Sequence, residues 1–393
     1  MKKTTYTKKY HKFYFSFIRI IIPFLKMIYH FSYKVFPVKK GEQYLILSNH
    51  QTLLDPALVC LSFKTPVYIM ANDTLFKKNF LIKLLRHCFA PIKKRKALSD
   101  LSCIKECVRI AKEGGSILVF PEGNRAWADF QMYIDPAICK FVRLLKMPLV
   151  LYNLSGGYGV DPRWGNSLRK GKFHGEVKEV LSVEQIQSMD DDELYEKITS
   201  SLRVIDSERK MVFRSKKRAE YLERELFVCP KCKEISTLES NGNSISCNAC
   251  GFKADYMEDL SFDMTDDSVS FQYLVDWYRF QLRYLSEMKI ETGKIIYSDS
   301  DVAIYDKTSE EYKEVSHGQL VMTDTEIRVG AYVISLIDVV AATVVGANKL
   351  VLCTRDKSFQ IKGMERFNAL KYVLTFNRLN TGIEKEKYYD LSI

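Results

Sequence analysis

An imidazole and a carboxylate stand five residues apart in Asn49-His50-Gln51-Thr52-Leu53-Leu54-Asp55. On one ideal helix that spacing would turn them about 140° apart. The flanks argue otherwise: Gln43 to Ser48 (QYLILS) has strand character, and Pro56 to Phe63 (PALVCLSF) reads as a helix entered through Asp55-Pro56. In a strand-to-helix loop the two side chains can face each other. Such a pair suits general-base catalysis, in which a neutral imidazole takes a proton from an attacking hydroxyl while the carboxylate fixes its tautomer. The plain alternative is an Asp–Pro helix start beside an unremarkable loop histidine.

A second constellation is Cys229-Pro-Lys-Cys232, then fourteen residues, then Cys247-Asn-Ala-Cys250. Two such knuckles supply four thiolates for one tetrahedral Zn²⁺, and Gly251 suits the turn that follows. A closed four-cysteine site has no open position for substrate, so the metal is expected to be structural. The other six cysteines lie singly or, like Cys103 and Cys107, at helix spacing, where small core residues are expected.

Two further stretches point to anions. Residues 77–96 carry Lys77, Lys78, Lys83, Arg86, Lys93, Lys94, Arg95 and Lys96 with no acid, threaded by apolar residues; this pattern suits a lipid or phosphate surface as well as a solvated face. Phe120-Pro121-Glu122-Gly123-Asn124-Arg125 follows the strand-like SILVF, where Gly123 permits a tight turn and Arg125 offers a planar fork to a phosphate.

Together these blocks resemble the glycerolipid acyltransferases of the 1-acylglycerol-3-phosphate acyltransferase family. NHQTLLD resembles that family's Asn-His-x-x-x-x-Asp box, FPEGNR its Phe-Pro-Glu-Gly-Thr-Arg block, and Met147-Pro148-Leu149-Val150 its later apolar proline block. Pro91-Ile92-Lys93-Lys94-Arg95 matches the remaining basic block only loosely, which leaves the acceptor head group open. The resemblance covers roughly residues 40–180. It implies transfer of a fatty acyl group from a thioester donor, acyl-CoA or acyl-ACP, to the hydroxyl of a lysophosphatidate-like acceptor. His50 would be the base and Asp55 its orienter. Asn49, Arg95, Glu122, Gly123, Asn124 and Arg125 would hold the acceptor, with Arg125 and Arg95 on its phosphate.

The elements that must position these residues follow from composition and pattern. Residues 1–40 contain ten Lys or Arg and no acid, so the net charge of +11 belongs to this segment. Its apolar runs fall short of the ~20 residues of a membrane span, and a basic amphipathic anchor on an anionic lipid surface is expected, giving a peripheral, monotopic protein on the cytoplasmic face. Alternating strand and helix patterns over 41–205 argue an α/β domain. A helical linker is expected at 206–226, the zinc ribbon at 227–256, and a helix with a β-rich domain at 257–393. In that last unit seven strand-like runs from Val302 to Ile361, then a helix over Glu365–Leu379, resemble a pleckstrin-homology-like barrel. Residues 226–260 are not basic enough for nucleic acid, and none is expected as partner. The rival reading is a catalytically silent membrane adaptor that uses ribbon and barrel to bind partners; the intact His50, Asp55, Glu122 and Arg125 argue against it.

Overall fold

The structure is a computed structural model describing residues 11–13, 15–16, 23–24, 26–39, 41–72, 91–94, 101–266, 268–308 and 312–380. The chain forms two compact units, one of residues 1–162 and 168–213, the other of residues 163–167 and 214–393.

In the first unit seven strands form one sheet: β1 (Phe31–Tyr33), β2 (Leu45–Ser48), β3 (Val67–Asn72), β4 (Ile92–Lys94), β5 (Ser116–Val119), β6 (Leu149–Ser155) and β7 (Phe173–Leu181), in the order β1-β7-β6-β2-β5-β3-β4. Neighbours run parallel except β6 and β7. Every residue of β2, β5 and β6 is buried, as expected of central parallel strands covered on both faces. Register does the positioning: Leu47 pairs with Val119 on one side and with Leu151 on the other. Strands β2 and β5 therefore end level, and the segments after them, Asn49-His50 and Phe120-Pro121-Glu122, emerge side by side at the carboxyl edge.

Among the described residues this unit also holds helices α1 (Asp55–Leu61), α2 (Leu101–Lys112), α3 (Ala137–Leu145), α4 (Gly157–Val160), α5 (Val183–Ser188) and α6 (Asp191–Leu202). In α2 Cys103, Cys107, Ile110 and Ala111 share the buried face, so the two cysteines are core residues. Asp190 starts α6 with a capping box to Glu193. Residues 206–226 do not form the expected helix: two 3₁₀ turns, Ser207–Arg209 and Leu222–Arg224, stand in otherwise irregular chain. Their backbone groups bind neighbours instead, Asp206 and Ser207 N–H on the Asp129 carboxylate, and Ala219 N–H on Gly242 O.

The second unit holds a four-stranded antiparallel sheet, β8 (Leu238–Asn241), β9 (Ser244–Cys247), β10 (Lys253–Tyr256) and β11 (Phe262–Met264), then α7 (Leu274–Glu287). Seven antiparallel strands follow: β12 (Tyr297–Asp306), β13 (Lys313–Met322), β14 (Glu326–Val329), β15 (Tyr332–Ser335), β16 (Val339–Val345), β17 (Lys349–Thr354) and β18 (Ser358–Lys362), in the order β15-β14-β13-β12-β18-β17-β16. Helix α8 spans Leu370–Leu379, shorter than expected because Asn368 Oδ1 accepts from Lys371 N–H and starts the helix there. The reading from sequence separates 227–256 from 257–393, whereas here they form one unit. Buried polar bonds join them: Trp277 Nε1 donates to Val228 O at 2.9 Å, and Lys371 Nζ reaches Asp299 at 2.8 Å and Ser236 Oγ at 2.9 Å.

One glycine is dictated at the carboxyl edge of the first sheet. Gly156 has φ +85°, and a Cβ there would lie 2.0 Å from Lys172 O. Gly156→Ala is expected to cost more than about 2 kcal/mol in urea-unfolding experiments.

Candidate active site and cysteine cluster

The loop after β2 folds around the carboxylate of Asp55, which is fully buried. Oδ2 accepts from Gln51 N–H at 2.6 Å, Thr52 N–H at 2.8 Å and His50 Nδ1 at 2.9 Å, while Thr52 Oγ1 donates to Oδ1 at 2.5 Å. An ionised carboxylate has no hydrogen to give, so Nδ1 is the donor, and in the neutral imidazole that makes this bond the lone pair lies on Nε2. Pro56, in the first turn of α1, has no N–H to satisfy and leaves Asp55 facing backward into the loop. The imidazole stacks on Phe120 with centroids 4.4 Å apart, which fixes the ring plane. An imidazole held in this way has the geometry that general-base catalysis requires.

The loop after β5 is stitched to the same histidine. His50 N–H donates to Glu122 Oε1 at 3.2 Å, and Ala126 N–H donates to His50 O at 2.9 Å. Burial pushes the Glu122 carboxyl up to about 8 against the pull of the His50 and Met132 N–H groups. Glu122 thus braces the backbone at His50. Gly123 takes φ +70° in the tight turn closed by its N–H on Phe120 O. Asn124 follows, half-buried, and Arg125 Nη2 donates to Asp161 O at 3.3 Å. Asn49 is buried with its side-chain amide donating to Leu154 O and accepting from Leu154 N–H, which bolts β2 to β6. Arg95 lies outside the described residues.

Four residues of the site have no sequence signal. Gln51 accepts from Gly157 N–H at 2.9 Å and donates to Asp206 Oδ2 at 3.4 Å, and a side chain at 157 would collide with it. Asp206 also accepts from Gly156 N–H at 2.6 Å. Burial and the neighbouring Asp129 raise Asp206 to about 7, and burial raises Asp129 as well. Asp161 accepts from the Tyr29 hydroxyl at 3.1 Å; burial raises it and Arg125 pulls it back. These acids lie far apart in the chain, and only the fold gathers them. Behind the loop, Asn49, His50, Gln51, Glu122 and Asp129 line a cavity of about 10 Å³, room for about one water.

In the second unit the four sulfurs expected to hold metal converge, all within 4.8 Å of one another. Cys229 and Cys250, and likewise Cys232 and Cys247, lie 3.7 Å apart, too far for disulfides. A tetrahedron with zinc–sulfur arms of about 2.3 Å has edges of about 3.8 Å, so the cluster fits that ion. The two knuckles fold alike: Lys233 N–H returns to Cys229 O and Gly251 N–H to Cys247 O, each at 3.0 Å and each residue at positive φ. Thr237 Oγ1 lies 3.2 Å from Cys247 Sγ, a hydroxyl suited to a thiolate's outer sphere.

Comparison with known proteins places residues 32–150 under the family model described as Acyltransferase. A 1-acyl-sn-glycerol-3-phosphate acyltransferase of Borreliella burgdorferi is 28% identical over 89 residues, 22% of this chain and 36% of that protein. The chain therefore spans little more than a third of that relative's length. The crystal structure of the 1-acyl-sn-glycerophosphate acyltransferase PlsC from Thermotoga maritima is 17% identical, with a TM-score of 0.42 over 49% of this chain and 78% of that one.

Neutral Glu122 has a consequence for stability. Its folded-state value near 8 lies above the ordinary 4.5, so the folded chain binds the extra proton and loses stability as pH rises between those values. Glu122→Gln removes that dependence. The urea midpoint of the variant, relative to wild type, is expected to rise steadily from pH 4.5 to pH 8 and to level off outside that window.

Proposed function

We propose that this chain, whose residues 32–150 form an acyltransferase-family domain, moves a fatty acyl group from a thioester donor, acyl-CoA or acyl-ACP, to the hydroxyl of a lysophosphatidate-like glycerophospholipid. The observation that carries this reading is His50 held through Nδ1 by buried Asp55 at 2.9 Å, with Nε2 left as the basic nitrogen.

In this mechanism Nε2 takes the acceptor's hydroxyl proton as the oxygen attacks the thioester carbonyl. Collapse of the adduct expels the thiolate, which recovers the proton from the imidazolium. Asp55 steadies the transient positive charge while keeping its bonds to the loop N–H groups. Arg125, with Arg95, pairs with the acceptor phosphate, and Gly123 and Asn124 let the loop approach it.

Around this centre the basic N-terminal segment anchors the protein peripherally to anionic lipid on the cytoplasmic face. Among the described residues no helix is long and apolar enough to cross a membrane. Phe24 and Met27 there are more than 60% exposed, apolar surface suited to an interface. Cys229, Cys232, Cys247 and Cys250 bind one structural Zn²⁺. The seven strands and α8 belong to a pleckstrin-homology-like barrel, supported by their antiparallel order with β12 beside β18.

Two experiments test this. Thiol release from a long-chain acyl-coenzyme A on adding lysophosphatidate is expected to fall by about 10²- to 10⁴-fold in His50→Ala; equal silence of wild type and variant with every donor and lysophospholipid would discard the reading. Elemental analysis is expected to find one zinc per chain. Cys229→Ser should abolish it and strip hydrogen-exchange protection from β8–β11, and full protection without metal would refute the structural role.

A further inference from the structure

Asp161, just after α4, joins three parts of the candidate site. The Tyr29 hydroxyl donates to Oδ2 at 3.1 Å, and Leu53 N–H, from the loop between His50 and Asp55, also donates to the carboxylate. Arg125 Nη2 donates to the main-chain carbonyl of the same residue at 3.3 Å. The Arg125 guanidinium and the Asp161 carboxylate are therefore brought together at a residue that also binds the loop between His50 and Asp55. The mechanism above uses the first and leaves the second unassigned.

Their juxtaposition bears on the acceptor's head group. A phosphomonoester placed on Arg125 brings up to two negative charges against Asp161, with Asp55 close enough to act electrostatically on the same carboxyl. A phosphodiester that carries an ammonium on a two-carbon arm meets both groups with the matching sign.

We propose that Asp161 is a specificity-determining residue, its carboxylate taking the ammonium of a zwitterionic lysophospholipid whose phosphate lies on Arg125. This rests on the acyl-transfer reading only for where the acceptor sits. Asp161→Asn separates charge from scaffolding, because the amide oxygen can still accept from Tyr29 while the negative charge is gone.

The test has two readouts. In transfer assays, kcat/KM for lysophosphatidylethanolamine over that for lysophosphatidate is expected to exceed one in wild type and to fall at least about tenfold in Asp161→Asn, the effect of losing a desolvated ion pair. Calorimetry with the head groups alone, glycerophosphoethanolamine against glycerol 3-phosphate, is expected to show the same preference and the same loss. Head-group preference without turnover would support the role of Asp161 while refuting acyl transfer. Turnover of both lipids with a ratio indifferent to the substitution, or a wild-type preference for the phosphomonoester in both readouts, would overturn the proposal and leave acyl transfer standing.

Discussion

The rest of the candidate site depends on one buried carboxylate. Asp55 has no exposure to solvent, and a carboxylate left unpaired in such a place costs several kcal/mol. Its four hydrogen bonds come from three consecutive residues, His50, Gln51 and Thr52. The loop can satisfy the acid only by curling back over it, and that curl delivers the imidazole with its proton on Nδ1. Orientation of the imidazole is therefore a by-product of a desolvation constraint, tight enough that the loop has few alternatives.

What surrounds the loop is a second tier of the same logic. Glu122, Gln51 and Asn49 engage backbone groups of neighbouring segments. Each ties the end of β2 to the end of β5 or β6. Near the loop, Glu122, Asp129 and Asp206 are all raised by burial, so each takes up protons more readily than an exposed acid would. Asp161 differs from these three in that its main-chain carbonyl accepts from Arg125.

The second unit is organised around a different kind of constraint. Four sulfurs at tetrahedral spacing terminate two matching turns, and the strands between them are short. Such a module has little core of its own. It borrows one from Trp277 and Gln281 of α7, while Lys371 of α8, 1% exposed, binds Ser236 beside the first knuckle and Asp299 of β12. Ribbon and seven-stranded sheet consequently pack together in one compact unit.

The alternation of strand and helix, the seven strands after α7, the knuckle spacing and the His50–Asp55 pair were all legible along the chain, because each rests on local periodicity or on residues a few positions apart. The level ends of β2 and β5 were not legible, since register between strands some seventy residues apart in sequence is decided by packing. For the same reason Asn49 and Glu122, read from sequence as acceptor contacts, have polar atoms engaged with protein backbone. A helix was expected over 206–226 because charge pattern alone favoured one; tertiary hydrogen bonds to Asp129 and Gly242 took those backbone groups instead. Gln51, Asp129, Asp161 and Asp206 carried no signal at all. Their meaning lies in being buried next to one another, and burial of a polar side chain is a property that only the folded chain possesses.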